Sequence, residues 1–419
     1  MSLKSALFGS GVMRVASAAL TFLGSIVLAR ALGPAFYGDY VLIFSMITLA
    51  YFLSTAGLPN LVLREISHYS ASNRHDLTKG MLVSAIVMFI VLLGLCAALS
   101  GVVQLIGVEF GEAMGPLAWA TVLLWGLAIL LENATRGRGH TTISQVGELL
   151  LRPGGIVVLL LIVQLMVGAG AVTVDMAVQA LFAATALSAS FALFAFIRVQ
   201  GVALRVKAAY QPAAWLRGGI YNSGVSVLIK SSFPLSFLML GALASAEDLG
   251  IYRVAYQLAM AAGIGLLAAK AVIAPRFARS LTPDAQEDMG QVRWDAIKSC
   301  LIFSLPLCAI LLTVPELILS FLFGSEFTDA ATAARILALT IIINSLFGPI
   351  DVELQVRRAD RSLLVAAVLR VALYLGLVAV LITPFGITGV ALAQLLSTTL
   401  WCLVMLLSLR QSKQVQALV

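Results

Sequence analysis

The chain has 419 residues and a net charge of +7, with 61% hydrophobic and only 11% charged residues. A soluble domain carries about 25% charged residues, so this composition excludes a soluble globular protein and predicts one embedded in a lipid bilayer. The basic residues form no basic tail or helix face, so the charge does not indicate a nucleic-acid partner.

Twelve apolar stretches are long enough to cross a bilayer, whose hydrocarbon core of about 30 Å requires roughly 20 residues of helix. In the first half they lie near residues 8–31, 36–56, 80–105, 115–135, 149–168 and 174–197. In the second half they lie near residues 218–243, 251–273, 297–322, 329–349, 362–383 and 386–409. The sequence therefore predicts an all-α integral membrane protein with about twelve transmembrane helices.

Two of these stretches need individual interpretation. The first is preceded by a lysine and ends near an Ala-Arg-Ala sequence, as a signal peptide would, but it contains Arg14 and exceeds the roughly 7–15 residues of a cleavable apolar region. It is predicted to be the first span. The stretch at 297–322 contains Pro306 and Pro315, so its end is predicted to be a separate interfacial segment.

Basic residues are concentrated in the loops on one side of the predicted membrane. Nineteen of the 27 lie in connections on the same side as the N-terminus, whereas the opposite loops contain acidic residues such as Glu109 and Asp175 but no clear Lys or Arg. Because cytoplasmic loops are enriched in Lys and Arg, both termini are predicted to lie in the cytoplasm.

The two halves of the chain repeat each other. Gly38-Asp39-Tyr40 recurs as Gly250-Ile251-Tyr252, 212 residues later, and the same shift superimposes the first span on the seventh. Six helices per half is an even number, so both halves enter the membrane from the same side, as in a parallel repeat. The sequence predicts two six-helix lobes, residues 1–207 and 208–419, that face each other across a central cavity.

Eight basic residues lie within or at the ends of the predicted spans. A charge at mid-helix costs about 2.5–3.5 kcal/mol on insertion scales, so such residues usually face a bundle interior or a water-filled cavity. Three lie close enough to a helix end for their charged groups to reach water: Arg30, Arg253 and Arg335. Lys270 is nearly as close to the other end of its span. Arg152 follows Glu148 by four residues, so an ion pair within the helix is an alternative explanation.

The remaining three, Arg14, Lys230 and Arg370, have no carboxylate within four residues. Two of them belong to polar stripes with steps of three and four residues. In the first span the stripe is Ser10, Arg14, Ser17, Thr21 and Ser25, and in the seventh it is Asn222, Ser226 and Lys230. The stripes predict a polar cavity, and the alternative is helix–helix packing through small polar residues.

Acidic residues are scarce in the spans: Asp39 opens the second, and Glu132 and Glu148 flank the loop after the fourth. A cavity with more cations than anions favours an anionic substrate, and guanidinium groups suit phosphate or carboxylate. The sequence contains no Walker A motif and no evident Ser-His-Asp or paired-carboxylate arrangement. It predicts a secondary transporter or flippase rather than an enzyme, with no cofactor and no metal site.

At this point the chain resembles a known family. The first helix with its Ser and Arg residues, the stretch LARALGPAFYGDYVLIFS after it, and the later stretch GLPNLVLREIS with Arg64 are similar to polysaccharide flippases of the multidrug/oligosaccharidyl-lipid/polysaccharide exporter superfamily, which include the Wzx-type O-antigen flippases. The resemblance covers nearly the whole chain. The lipid II flippases of this superfamily typically have two further helices, which this sequence lacks.

The resemblance implies that the protein moves undecaprenyl-diphosphate-linked oligosaccharide across the bacterial cytoplasmic membrane by alternating access, through a V-shaped bundle with a cationic lumen. It implies lipid-linked oligosaccharide, membrane lipid and polysaccharide assembly machinery as partners. The implied substrate contacts are Arg14, Arg152, Lys230 and Arg370. Supporting roles are expected for Ser10, Asp39, Asn222, Ser226 and Lys270.

Two other functions fit the same spans. A multidrug exporter of the same fold would couple transport to cations through membrane-embedded carboxylates, whereas the first span offers Arg14 and no acid. A membrane polysaccharide polymerase or ligase would carry a large external loop, whereas every predicted external loop is short. The flippase therefore remains the favoured prediction.

Overall fold

The computed structural model describes residues 3–105, 114–168, 170–200, 206–280, 288–357 and 360–416, and within these ranges it is helical and contains no β-strand. The chain divides into two compact units. Unit 1 contains Met1–Leu32 and Asp39–Leu238, and unit 2 contains Gly33–Gly38 and Met239–Val419.

The helices of unit 1 include long membrane-crossing helices and two short ones. In chain order the elements are α1 (Leu3–Thr55), α2 (Leu58–Ala71), α3 (His75–Leu105), α4 (Pro116–Gly137), α5 (Thr141–Val146), a π-helical turn (Gly147–Leu151), α6 (Arg152–Val167), α7 (Val174–Gln200) and α8 (Pro212–Leu243). A kink divides α1 into two spans at Gly33, whose φ of 71° is left-handed and favours glycine, and Pro34 follows it.

The core of unit 1 joins α2 to α3, α4 and the beginning of α8. Leu61, Val62, Ile66 and Tyr69 form the buried face of α2, and Phe89 of α3 and Leu130 of α4 belong to the same cluster. Trp215 of α8 is buried there as well, and its indole N–H donates to the hydroxyl of Tyr69 over 2.7 Å. The start of α8 is therefore fixed within unit 1.

Most of α8 belongs to unit 1, although the internal repeat assigns this helix to the second lobe. The two compact units are defined by which residues pack together, whereas the predicted lobes 1–207 and 208–419 are defined by the sequence repeat. The predicted lobe boundary is therefore not tested by the packing and stays a prediction.

Unit 2 is built in the same way from long helices and short connecting ones. Its elements are α9 (Ala246–Arg279), α10 (Met289–Thr313), α11 (Pro315–Leu322), a 3₁₀ turn (Ser325–Ala330), α12 (Ala331–Phe347), α13 (Ile350–Val356) and α14 (Asp360–Gln416). α9 begins with a capping box, in which the Ser245 hydroxyl accepts from the Asp248 N–H over 3.0 Å. α14 is kinked at Gly386.

The described residues confirm the all-α membrane fold with about twelve spans. Eight helical segments are long and apolar enough to cross a membrane, and the kinks at Gly33 and Gly386 divide the two longest. The two kinks turn the eight segments into ten spans, and α8 and α9 bring the number of long helices in the described part of the chain to twelve. The predicted stretch 297–322 is divided as expected, because α10 ends at Thr313 and Pro315 begins the separate helix α11.

Two repeat-related glycines, Gly38 and Gly250, contact each other inside unit 2. A methyl group at Gly38 would overlap the carbonyl of Ala246, and one at Gly250 would overlap the carbonyl of Pro34. The two backbones can approach this closely only because neither position has a side chain. The motif that revealed the repeat is thus also a helix-packing contact.

Replacing Gly38 by alanine should lower the free energy of unfolding by about 1–3 kcal/mol, because the added methyl group must displace backbone atoms. The matched control is Gly94→Ala in α3, where a methyl group would meet nothing within 4 Å. Thermal unfolding of the purified variants in detergent provides the measurement. Equal midpoints for the two variants would contradict the proposed close contact.

Candidate functional site

A cleft of about 460 Å³ lies within unit 1. Its wall combines charged, amide and aromatic side chains with a few apolar ones. The lining residues are Arg14, Tyr51, Phe52, Thr55, Gly57, Pro59, Asn60, Trp125, Ile129, Glu132, Asn133, Arg136, Gln145, Glu148, Leu149, Val227 and Lys230. This set is called the polar cleft below.

One face of α4 forms a large part of the polar cleft. Trp125, Ile129, Glu132, Asn133 and Arg136 follow one another at steps of one, three and four residues, which places them on a single helix face. The end of α1, the beginning of α5 and the middle of α8 complete the wall. The N-terminal part and the end of α1, the end of α4 and the start of α5 therefore border one cleft.

Three cations and two carboxylates line the polar cleft: Arg14, Arg136, Lys230, Glu132 and Glu148. Arg14 and Lys230 are exposed, and neither forms an ion pair with any residue that the structure describes. The ammonium nitrogen of Lys230 lies 5.9 Å from the ring centroid of Phe52, near the limit of a cation–π contact. Both cations are therefore available to an anion.

Glu132 is the most buried charged group of the polar cleft, with 5% of its surface exposed. Its carboxylate accepts the backbone N–H of Glu148 over 3.0 Å. That N–H belongs to the π-helical turn Gly147–Leu151, and a π-turn inside a longer helix often occurs at a functional site. The turn thus supplies a backbone donor to a buried carboxylate.

Arg152 is held behind the wall by a carboxylate and an aromatic ring. Its guanidinium donates to the carboxylate of Glu148 and lies 3.8 Å from the ring centroid of Trp125. Trp125 in turn stacks on Tyr51, with ring centroids 4.3 Å apart. The local ion pair that the sequence offered as an alternative is therefore present.

Arg136 is oriented by an amide. In the orientation that satisfies both groups, the side-chain oxygen of Gln145 accepts from the guanidinium of Arg136. The guanidinium has further N–H donors for a ligand, because arginine carries five.

The structure brings some of the predicted site residues together. Arg14 and Lys230 line the polar cleft, and Arg152 lies directly behind its wall. Arg370 belongs to unit 2, where its guanidinium lies 5.6 Å from the ring centroid of Trp401. Asp39 is half-buried on α1 and does not line the cleft. The predicted side chains of Ser10, Asn222, Ser226 and Lys270 lie outside the described residues.

The polar stripe of the first span meets the polar cleft at one described position. Among its described members only Arg14 lines the polar cleft. The hydroxyls of Thr21 and Ser25 donate to backbone carbonyls within their own helix, over 2.8 and 2.7 Å. These two hydroxyls are therefore satisfied locally.

Two features of the polar cleft were not predicted from the sequence: the polar face of α4 and the side-chain amide of Gln145, which contacts Arg136. The predicted fourth span ends near residue 135, whereas Arg136 lies in the last turn of α4 and lines the polar cleft. The available signal was the spacing of Glu132, Asn133 and Arg136, which places three polar residues on one face of an otherwise apolar helix. Trp125 and Gln145 had no such signal, because their role depends on contacts between helices.

Comparison with known proteins gives a family and a fold. The sequence profile described as polysaccharide biosynthesis protein matches residues 5–281. No curated protein sequence matches the chain significantly.

Several solved structures share the fold. A multidrug resistance MATE family transporter of the MOP superfamily, in an inward-facing conformation, has a TM-score of 0.73 at 17% identity and covers 96% of this chain and 98% of its own. The lipid II flippase MurJ, in an inward closed conformation, has a TM-score of 0.74 at 12% identity, over 95% and 87% of the two chains. A MOP superfamily transporter from Pyrococcus furiosus, described as having a binding pocket of reverse polarity, has a TM-score of 0.63 at 16% identity. The match covers 98% of this chain and 95% of that transporter.

Replacing Glu148 by glutamine should destabilise the protein, because the guanidinium of Arg152, whose side chain is only 15% exposed, loses its ionic partner. We expect the free energy of unfolding to fall by about 2 kcal/mol. The control is Glu316→Gln, whose ion pair with Arg335 is much more exposed and should contribute less than about 1 kcal/mol. Unfolding midpoints in detergent distinguish the two, and a smaller effect at Glu148 than at Glu316 would contradict the structural role of the pair.

Proposed function

The chain belongs to the polysaccharide biosynthesis protein family, and we propose that it is a flippase for undecaprenyl-diphosphate-linked oligosaccharide. In this proposal it moves the lipid-linked repeat unit from the cytoplasmic to the outer leaflet of a bacterial cytoplasmic membrane. The repeat unit would be destined for a surface polysaccharide such as O-antigen lipopolysaccharide or exopolysaccharide. Both termini would lie in the cytoplasm, and the polysaccharide assembly machinery would receive the product.

The observation that carries the proposal is the pair of exposed cations in the polar cleft. Arg14 and Lys230 lie in a membrane-spanning unit, where an unpaired charge is unfavourable unless it meets water or an anion. Three basic residues of unit 2 differ, since Arg276 pairs with Asp295, and Arg293 and Arg357 both pair with Glu353. Paired cations stabilise structure, whereas unpaired ones at a cleft suit an anionic ligand.

A diphosphate fits the donors of the polar cleft. The guanidinium of Arg14 can donate two parallel hydrogen bonds to phosphate oxygens, and the ammonium of Lys230 adds a second positive charge from a different helix. Asn60 and Asn133, which also line the cleft, carry amide groups suited to sugar hydroxyls. Arg152 would position Trp125 and Glu148 rather than contact the substrate, because its guanidinium is already engaged by both.

Transport rather than catalysis is proposed because the polar cleft presents binding groups without a nucleophile beside a base. The fold itself is shared by a lipid II flippase and by multidrug transporters, so it supports transport and leaves the substrate to the cleft. Arg370 is proposed as a second contact with the same class of substrate, from unit 2.

A cation-coupled multidrug exporter is the second candidate, and one observation favours it. Glu132 is a buried carboxylate within a membrane-spanning helix, and Glu148 is bonded to it through its backbone. Such exporters couple transport through membrane-embedded carboxylates. The flippase is preferred because the lining of the polar cleft has more cations than carboxylates, which disfavours a cationic drug.

The flippase proposal predicts that Lys230→Ala abolishes most polysaccharide export while the protein still inserts in the membrane. Loss of a charge-assisted contact is worth about 1.5–3 kcal/mol, so transport should fall by roughly tenfold or more. Lys230→Arg should retain part of the activity, because it keeps the positive charge. Surface polysaccharide is measured in cells whose only copy of the protein is the variant, with the protein level measured in the same membranes.

Lys298→Ala is the matched control. Lys298 is also exposed and also lies near an aromatic ring, with its ammonium 5.4 Å from the centroid of Trp294, but it belongs to α10 and does not line the polar cleft. This variant should export polysaccharide normally. Full export by Lys230→Ala would remove Lys230 from the substrate path and refute the central assignment.

A further inference from the structure

A second cavity of about 600 Å³ in unit 1 lies next to the polar cleft, and it is almost entirely apolar. α2, α3 and the beginning of α8 form it. Its lining includes Leu58, Leu61, Met81, Val87, Val91 and Trp215. This cavity is called the apolar groove below.

The segment 55–61 separates the two cavities. Thr55, Gly57 and Pro59 line the polar cleft, whereas Ala56 and Leu58 line the apolar groove. The end of α1, the turn at residues 56–57 and the first turn of α2 thus border the polar cleft on one side and the apolar groove on the other. A cationic site and an apolar site are therefore immediate neighbours.

The backbone of this wall has an unusual conformation. α1 ends at Thr55, and the next two residues, Ala56 and Gly57, both have left-handed backbones with φ of 42° and 76°. The left-handed region is unfavourable for alanine, and such strain persists where surrounding contacts impose it, often at ligand sites. The Ala56 N–H still bonds to the carbonyl of Phe52 over 3.0 Å, so the wall is an ordered turn.

The apolar groove opens toward the lipid. Val87, Met88 and Val91 are exposed, and they lie on one face of α3, a helix long and apolar enough to cross the membrane. In a bilayer these side chains meet hydrocarbon chains. Tyr210, which borders the groove, is exposed, and amphipathic aromatic residues are typical of the membrane interface.

The rim of the apolar groove is fixed to α3. The ammonium of Lys79 donates to the carbonyl of Val206 over 3.0 Å, and the N–H of Ala209 donates to the carbonyl of Asp76 over 3.1 Å. These two bonds hold the segment before α8 against the start of α3. The groove is therefore a formed feature of unit 1.

We infer that the apolar groove holds the polyprenyl chain of the substrate whose diphosphate occupies the polar cleft, an inference that rests on the proposed function. A lipid-linked diphosphate is one molecule with an anionic head and a long apolar chain, so it requires two adjacent sites of opposite character. The polar cleft and the apolar groove provide them on the two sides of segment 55–61. Head and chain are thereby bound by the same unit.

Chain-length dependence of binding tests the inference. The probes are farnesyl diphosphate and undecaprenyl diphosphate, which share the head and differ in the chain, and the protein is the purified full chain in detergent. Val87→Trp places a bulky ring in the apolar groove. It should weaken undecaprenyl diphosphate binding by about tenfold through displaced apolar contacts, and farnesyl diphosphate binding much less.

Val158→Trp is the matched control. Val158 of α6 is 55% exposed, against 56% for Val87, and it lines neither cavity. It should leave both affinities unchanged. If Val87→Trp and Val158→Trp have equal effects on the ratio of the two affinities, the groove assignment is wrong. If the native protein binds neither diphosphate, the proposed function itself fails.

Photolabelling of the native protein provides a second measurement that needs no variant. A photoreactive group in the half of the polyprenyl chain next to the diphosphate should label residues 87–92, which line the apolar groove alone, in preference to residues 189–196, which border a different apolar groove of about 520 Å³. Excess undecaprenyl diphosphate should suppress the label. Equal labelling of both grooves, or labelling of residues 87–92 by a phosphatidyl lipid that undecaprenyl diphosphate does not displace, would identify bulk lipid as the occupant and overturn the inference.

Discussion

A charged side chain within a bilayer is stable only when it meets an opposite charge, a polarisable ring or water, and this constraint organises both units of the protein. In unit 2, the carboxylate of Glu353 is 1% exposed and is bound by the guanidinium groups of both Arg293 and Arg357, so each of these charges meets an opposite charge. In unit 1, Arg152 meets both a carboxylate and the ring of Trp125. Arg14 and Lys230 line the polar cleft and form no ion pair with a described residue, and the proposed preference of the cleft for anions depends on these two cations.

The same constraint explains why the polar cleft contains carboxylates as well. Glu132 can remain buried because the π-helical turn directs the backbone N–H of Glu148 toward it, and because Arg136 follows it by four residues on the same face of α4. Two acids among three cations reduce the net charge without removing it. In the proposed function, this balance of charges lets the cleft bind a diphosphate and still release it, which a transporter requires.

Much of the fold could be predicted from the sequence because membrane helices are encoded locally. The apolar lengths, the break at Pro315 and the glycine motif of the repeat each depend on a short stretch of chain. The relation of α8 to unit 1 could not be predicted, since it depends on the hydrogen bond between Trp215 and Tyr69, which are 146 residues apart. Arg14 and Lys230 were found because an isolated charge in an apolar run is conspicuous. The stacked pair Tyr51 and Trp125 was missed because aromatic residues are ordinary in such runs.

The central claim is that the polar cleft serves an anionic, lipid-linked substrate, and transfer between leaflets tests it most directly. Purified protein is reconstituted in liposomes that carry undecaprenyl-diphosphate-linked oligosaccharide in one leaflet, and the appearance of the sugar in the other leaflet is followed. The account predicts transfer that depends on the protein, together with no uptake of a cationic dye under the same conditions. Transport of the dye without transfer of the lipid-linked oligosaccharide would contradict it.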